Sequence, residues 1–213
     1  MKCKICGLTM PIEANYLDSE VVAYTGMVLF FEKSKRNIDI AKAKEIMANI
    51  PENIGKVAVV VSPTNQQIEQ IIDAGFDVIQ IHGKIDAMEL EGVLTSVTAS
   101  EYPIKVWRAF NVSNMDEFEE WKSLDFVTGY VFDAADPGSG KSFDYSLLDG
   151  IEVPEGKLYI LSGGLNDSNV ADAALNVHPD LLDVSSGVEY IDGTPGKDPL
   201  RVKAFIEAVR GIN

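Results

Sequence analysis

The strongest constraint on this chain is an eightfold alternation. Short runs of β-branched and apolar residues take turns with stretches whose apolar residues recur at helical spacing. The runs are Cys3–Cys6, Met27–Phe31, Val57–Val61, Val78–His82, Ile104–Ala109, Val127–Phe132, Leu158–Leu161 and Leu182–Ser185. Helical patterns follow at Ile38–Asn49, Asn65–Ala74, Ala87–Val97, Asn114–Lys122, Ser168–Val177 and Pro199–Val209. Weaker helical segments, Met10–Asp18 and Tyr145–Asp149, complete the first and sixth units. The pitch is roughly 25–30 residues, which fits a strand–helix repeat. Runs such as VAVVV and VTGYVF are apolar throughout, as strands covered on both faces of a parallel sheet must be. Eight such units predict a (β/α)8 barrel. The usual barrel has about 250 residues and the range starts near 200, so the 213 residues here make a compact one. No Pro/Ser-rich linker interrupts the pattern, and a single barrel domain over 1–213 is expected. A doubly wound open sheet is the structural alternative.

That architecture predicts where chemistry sits. In such barrels the reacting groups lie at the C-terminal ends of the strands. The polar residues at those ends are Cys6, Arg36, His82, Arg108, Asp133, Ser185 and Ser186, with the glycines after Leu161. Composition limits what they act on. A formal net charge of −15 argues against a nucleic-acid partner, because phosphate backbones need clustered Lys and Arg. A small anionic substrate is compatible if helix N-termini and a few local basic residues receive it. No apolar run approaches the ~20 residues of a membrane-spanning helix, and no cleavage-site pattern follows the N-terminus. A cytoplasmic protein without a membrane partner is expected, as monomer or homodimer.

The chain has two cysteines, Cys3 and Cys6, spaced C-x-x-C. That spacing suits a redox dithiol or half of a metal site. Side chains alternate across a strand, so on one strand these two point to opposite faces. Lys4 and Cys6 share one face, Cys3 and Ile5 the other. A zinc site needs more ligands, and the only histidines are His82 and His178. No metal is expected. Cys6 alone, at a strand end before Gly7, is the candidate active-site thiol; its plainer alternative is a buried core cysteine.

Two kinds of phosphate signal follow. The segment ADPGSGKS, residues 135–142, resembles a Walker loop with Ala135 in place of the first glycine. Pro137 and Gly138 give it a turn of its own, and SFD separates Lys141 from the next helix, which argues against a nucleotide-binding P-loop. The segments LSGGLNDSN and DVSSGVE are more informative. Gly163 and Gly164 follow a strand and precede a helix with Asn166, Asp167 or Ser168 as candidate N-cap. Paired glycines let backbone N–H groups approach an anion. The loops after the seventh and eighth strands of (β/α)8 enzymes commonly bind phosphate.

KICGLT, SKR after the second strand, QIHG, VFDAADPGSGKSFDYSLL, LSGGLNDSNV and DVSSGVEYIDGTPGKD occur together and in this order. The chain therefore resembles the phosphoribosylanthranilate isomerases of tryptophan biosynthesis, over essentially its whole length. The resemblance implies a (β/α)8 barrel without a cofactor. It also implies an Amadori rearrangement of N-(5-phosphoribosyl)anthranilate, a small anionic sugar phosphate. The general base of the family matches Cys6 and its general acid matches Asp133. A free thiol has a pKa of ~8.5 and must be lowered to act as a base; Lys4, on the same face, is the candidate for lowering it. A model Asp has a pKa of ~3.9 and must be held protonated to act as an acid. Arg36 matches the residue that engages the anthranilate carboxylate, for which a guanidinium fork is suited. His82, Arg108 and Asp183 are further candidate substrate contacts, with Gln80 on the His82 face. The expected phosphate cradle is Gly140, Gly163, Gly164, Ser185, Ser186 and Gly187, with Lys141 adding charge. Three departures stand out: Lys35 occupies the place of a Pro before Arg36, VAVVVSPT lacks a Phe-Val-Asn pattern, and FDY replaces Phe-Asp-Trp. Competing readings are another phosphate-binding barrel isomerase or lyase, an indole-forming relative, and a non-catalytic phosphate or nucleotide binder.

Overall fold

The computed structural model describes residues 1–97, 104–112, 115–133 and 145–212. Eight parallel strands form the sheet: β1 (Cys3–Cys6), β2 (Val22–Leu29), β3 (Gly55–Val61), β4 (Val78–His82), β5 (Lys105–Asn111), β6 (Val127–Asp133), β7 (Leu158–Leu161) and β8 (Leu181–Val184). Each pairs with its neighbour in sequence, and β1 pairs with both β2 and β8. That last pairing closes a barrel and rules out the open sheet. A two-residue strand, Asn37–Ile38, adds to β2 at the rim.

Among the described residues, six α-helices pack outside: α1 (Ile40–Met47), α2 (Asn65–Ala74), α3 (Ala87–Val97), α4 (Phe118–Lys122), α5 (Val170–Val177) and α6 (Pro199–Arg210). Local signals explain their ends. At α2 the Thr64 side chain accepts from Gln67 N, the Gln67 side chain returns to Thr64 N, and Gly75 closes the helix at φ 87°. The weak first and sixth units are 3-10 turns, Pro11–Tyr16 and Tyr145–Leu148, rather than α-helices. Helix α4 starts at Phe118 instead of Asn114, which lies outside the described residues.

Strand parity sorts the core into two layers. Val57, Val78, Trp107, Val131, Ile160 and Leu181 fill the barrel. Cys3, Ile5, Ile79, Ile81, Phe110 and Phe132 face the helices. Cys3 and Cys6 thus lie on opposite sides of β1, both buried and free. Trp107 and Tyr24 meet edge to face inside the barrel, with centroids 4.7 Å apart, and close its lower, N-terminal half. Fully burying a large apolar side chain is worth about 1.5–3 kcal/mol, so the closed half anchors the barrel and leaves the opposite end for polar groups.

Strand β2 starts at Val22, five residues before the expected Met27, and ends at Leu29. The stretch Tyr24–Gly26 obscures it in sequence and is explained by its neighbours on β1. Buried Thr25 donates its hydroxyl to Ile5 O at 2.8 Å. A Cβ at Gly26 would stand 2.8 Å from Cys6 Sγ and 3.1 Å from Lys4 Cε. Only glycine leaves room for those two side chains.

Candidate active site

The C-terminal ends of the strands surround a cavity of about 190 Å³. Cys6 reaches it from β1, His82 from β4, Asp133 from β6 and Asp183 from β8. Arg36 enters from the segment after β2, and the loops after β7 and β8 supply Gly163, Gly164, Ser185 and Ser186. Gln80, placed on the His82 face by strand alternation, lines it too, as does Ser162, which did not stand out in sequence.

Lys4 and Cys6 share the inner face of β1, as alternation requires. Lys4 is fully buried and its Nζ donates to Asp183 Oδ2 at 2.8 Å. Burial pushes the Cys6 thiol up; the adjacent Lys4 ammonium opposes this and Asp183 reinforces it. Burial also works against the Lys4 charge, but Asp183 and Cys6 outweigh it and leave its pKa above the usual value. Asp183 Oδ1 is buried without a hydrogen-bond partner among the described residues, which leaves it ready for a ligand hydroxyl.

Gln80 Nε2 lies 2.9 Å from His82 Nε2. Burial, Lys4 and Arg108 together push the His82 imidazole down to about 4. The ring is neutral at neutral pH, a polar wall rather than a cation. Arg108 does not line this cavity. On β5 it is Trp107 and Ala109 that face inward. Arg108 turns outward and donates to Ile81 O at 3.0 Å, Gly83 O at 2.6 Å and Glu117 at 3.0 Å, ties between the tops of β4 and β5.

Arg36 Nε donates to Glu189 Oε1. The same carboxylate takes Lys197 Nζ at 3.1 Å and Lys35 Nζ at 2.7 Å. Burial opposes the Glu189 charge, but the Arg36 hydrogen bond, Lys197 and Lys35 prevail and hold its carboxyl at about 2. Neither Glu189 nor Lys197 stood out in sequence, although both belong to the SSGVE and PGKD segments. Their pairing, an isolated antiparallel bridge, brings together positions eight residues apart in a loop without helix or strand periodicity.

Gly163 and Gly164 adopt φ 96° and 66° and place the β7 loop against the cavity. The cap of α5 is Asn169 rather than the three candidates before it. Asn166 instead forms a local turn, its Oδ1 accepting from Ser168 N at 2.9 Å. Gly187 is where the two loops touch. A Cβ there would stand 1.9 Å from Leu165 O, and Arg201 donates to Gly187 O at 3.1 and 2.9 Å. Gly187→Ala is therefore expected to cost about 1–3 kcal/mol by overpacking. A calorimetric melting temperature equal to wild type would show that the loops do not meet there. Gly140 and Lys141 lie outside the described residues.

Comparison with known proteins places this geometry in context. The family model of N-(5'phosphoribosyl)anthranilate (PRA) isomerase matches residues 3–208. The N-(5'-phosphoribosyl)anthranilate isomerase of Listeria monocytogenes is 33% identical over 219 residues, covering 100% of both chains. That of Clostridium kluyveri is 34% identical over 216 residues, covering 100% of this chain and 99% of the other. The crystal structure of phosphoribosyl anthranilate isomerase from Thermotoga maritima superposes with a TM-score of 0.79 at 30% identity, over 99% of each chain. A further isomerase structure, in complex with reduced 1-(o-carboxyphenylamino)-1-deoxyribulose 5-phosphate, gives a TM-score of 0.77 at 29% identity over 99% of each chain.

Proposed function

The chain belongs to the N-(5'-phosphoribosyl)anthranilate isomerase family, and on that premise we propose how its own residues carry the reaction. Its activity is the isomerisation of N-(5-phosphoribosyl)anthranilate to 1-(2-carboxyphenylamino)-1-deoxyribulose 5-phosphate in tryptophan biosynthesis. The observation that carries the mechanism is the convergence of Cys6 and Asp133, from β1 and β6, on one cavity that also holds Arg36 and the two glycine-containing loops.

Asp133 is the general acid. Its carboxyl proton goes to the furanose ring oxygen, the C1–O bond breaks, and the ring opens to an iminium ion. Cys6 is the general base. Its thiolate takes the C2 proton, and the electrons of that C–H bond form an enolamine, which tautomerises to the aminoketone. One acid and one base account for the ring opening and the C2 deprotonation; in the tautomerisation the enol hydroxyl gives up its proton and C1 gains one. Lys4 favours the thiolate of Cys6, and Asp183 meets a sugar hydroxyl through Oδ1. The backbone around Gly163, Gly164, Ser185, Ser186 and Gly187 receives the phosphate, with Gly140 as a further candidate from the β6 loop. Neutral His82 takes a polar contact on the substrate. Arg108 works at a distance, tying β4 to β5. The enzyme acts in the cytoplasm on a small anionic sugar phosphate, as monomer or homodimer; the Thermotoga maritima enzyme is described as dimeric.

The direct test follows the loss of phosphoribosylanthranilate fluorescence, with substrate formed in place from anthranilate. Rapid loss is expected, and none with folded protein would overturn the reading. Arg36→Met raises KM by about 10–100-fold, as loss of a charge-assisted, bidentate contact should, while leaving kcat nearer to wild type. An unchanged KM would remove Arg36 from the carboxylate.

A further inference from the structure

Arg36 is set in a way that its role as a carboxylate contact does not require. It forms the wall between the main cavity and a second one of about 170 Å³, lined also by Thr9, Lys35 and Glu189. Its Nε is tied to Glu189, whereas its Nη2 is buried without a hydrogen-bond partner among the described residues. A guanidinium is planar, so fixing Nε on an immobile acceptor fixes the direction of the remaining N–H bonds. Glu189 is such an acceptor. It is 7% exposed, and its Oε1 is shared between Arg36 and the buried Lys197. Lys197 in turn donates to Ser185 O at 3.0 Å, and the Ser185 hydroxyl donates to Cys6 O at 3.0 Å. One continuous chain of polar contacts therefore links Arg36 to the backbone of Cys6.

We propose that Glu189 is a specificity-positioning residue: by gripping Arg36 at Nε it presents Nη2 to an aryl carboxylate on the substrate, in register with Cys6. The proposal rests on the reading of Arg36 as the carboxylate contact. Charge supports it. Lys35, Arg36 and Lys197 surround the carboxylate of Glu189, and the buried Glu13 carboxylate accepts from Lys197 N, so three cations face two carboxylates, a local excess of one positive charge in a chain of net charge −15. An incoming carboxylate restores the balance. A neutral ring substituent would gain nothing from it. The geometry also explains the departure at Lys35. Its ammonium ends on Glu189 Oε2 with the side chain 71% exposed, so it adds to the rim of the clamp without turning Arg36 away. An exposed pair contributes little.

The test compares two ligands by calorimetry: reduced 1-(o-carboxyphenylamino)-1-deoxyribulose 5-phosphate and its counterpart without the ring carboxylate. Glu189→Gln should weaken the first about 10-fold, the scale of one charge-assisted hydrogen bond, and the second less than about 2-fold. Lys35→Ala should change neither by more than about 2-fold. Because Glu189→Gln strands the buried Lys197 charge, Glu189→Gln/Lys197→Met is made as well; it removes both charges and should show the same selective loss. Equal weakening of both ligands would mean that Glu189 merely holds the loop, and would overturn the proposal. Arg36→Met separates the two levels. If it discriminates between the ligands and the Glu189 variants do not, the proposal fails while the reading of Arg36 stands. If Arg36→Met does not discriminate, that reading fails and takes the proposal with it.

Discussion

Cys6→Ala should lower kcat/KM by about 10²–10⁴-fold, the range over which one positioned acid or base contributes, with a melting temperature close to wild type. The side chain lost is small, and Lys4 keeps its bond to Asp183, so no buried charge is stranded. Asp133→Asn should fall in the same range, because an amide has no proton to give the ring oxygen. Cys6→Ser sharpens the test. The hydroxyl occupies nearly the same space beside Gly26 but ionises far less readily than a thiol, so a nearly isosteric side chain should still fail as a base. Near-wild-type turnover in Cys6→Ser or Cys6→Ala would remove the thiol from the proton transfer. A collapse of the melting temperature would show that Cys6 serves the core instead.

The barrel is legible in sequence because its strands are apolar on both faces and recur at a steady pitch. Stretches such as VAVVV leave few alternatives, and α2 carries its start and stop signals at Thr64, Gln67 and Gly75. What escapes reading depends on partners far along the chain. Tyr24, Thr25 and Gly26 look like an interruption of β2 until Cys6 and Lys4 are seen to occupy the space at Gly26. Arg108 teaches a different lesson. A strand-end rule counts positions along the strand, but parity decides the face, and in VWRAF the tryptophan and alanine take the interior. Glu189 and Lys197 carry no periodic signal, since a loop carboxylate acquires meaning only through the cations that fold against it. That Cys6, His82 and Asp133 meet at one cavity was readable because a (β/α)8 barrel gathers its C-terminal strand ends around a single opening.

The second large effect belongs to Lys4. Lys4→Met should destabilise the fold by about 3–5 kcal/mol, the scale expected when one member of a buried ion pair is removed. Lys4 is fully buried and Asp183 Oδ2 lies 2.8 Å away, so methionine leaves that carboxylate buried and uncompensated. The pH dependence has a definite sign. Burial disfavours the ammonium, yet Asp183 and Cys6 raise its pKa above the ordinary 10.5. A raised cation stabilises the fold in full below the unfolded value and loses that contribution only as pH climbs through the folded one. At neutral pH the wild type therefore holds the whole contribution and the variant none. Catalysis should respond separately. Burial already raises the Cys6 thiol and the Lys4 ammonium is the first influence opposing it; without Lys4 the thiol rises further, and the acid limb of kcat/KM moves to higher pH. The double variant Lys4→Met/Asp183→Asn removes both charges. It should regain most of the stability, because a buried pair replaced as a unit costs far less than a broken one. Its acid limb should stay above wild type, because the cation that favours the thiolate is still missing. Urea unfolding and pH–rate profiles of the three proteins distinguish the two roles. An unchanged unfolding midpoint in Lys4→Met would deny the ion pair its structural weight, and an unchanged acid limb would detach Lys4 from the thiolate.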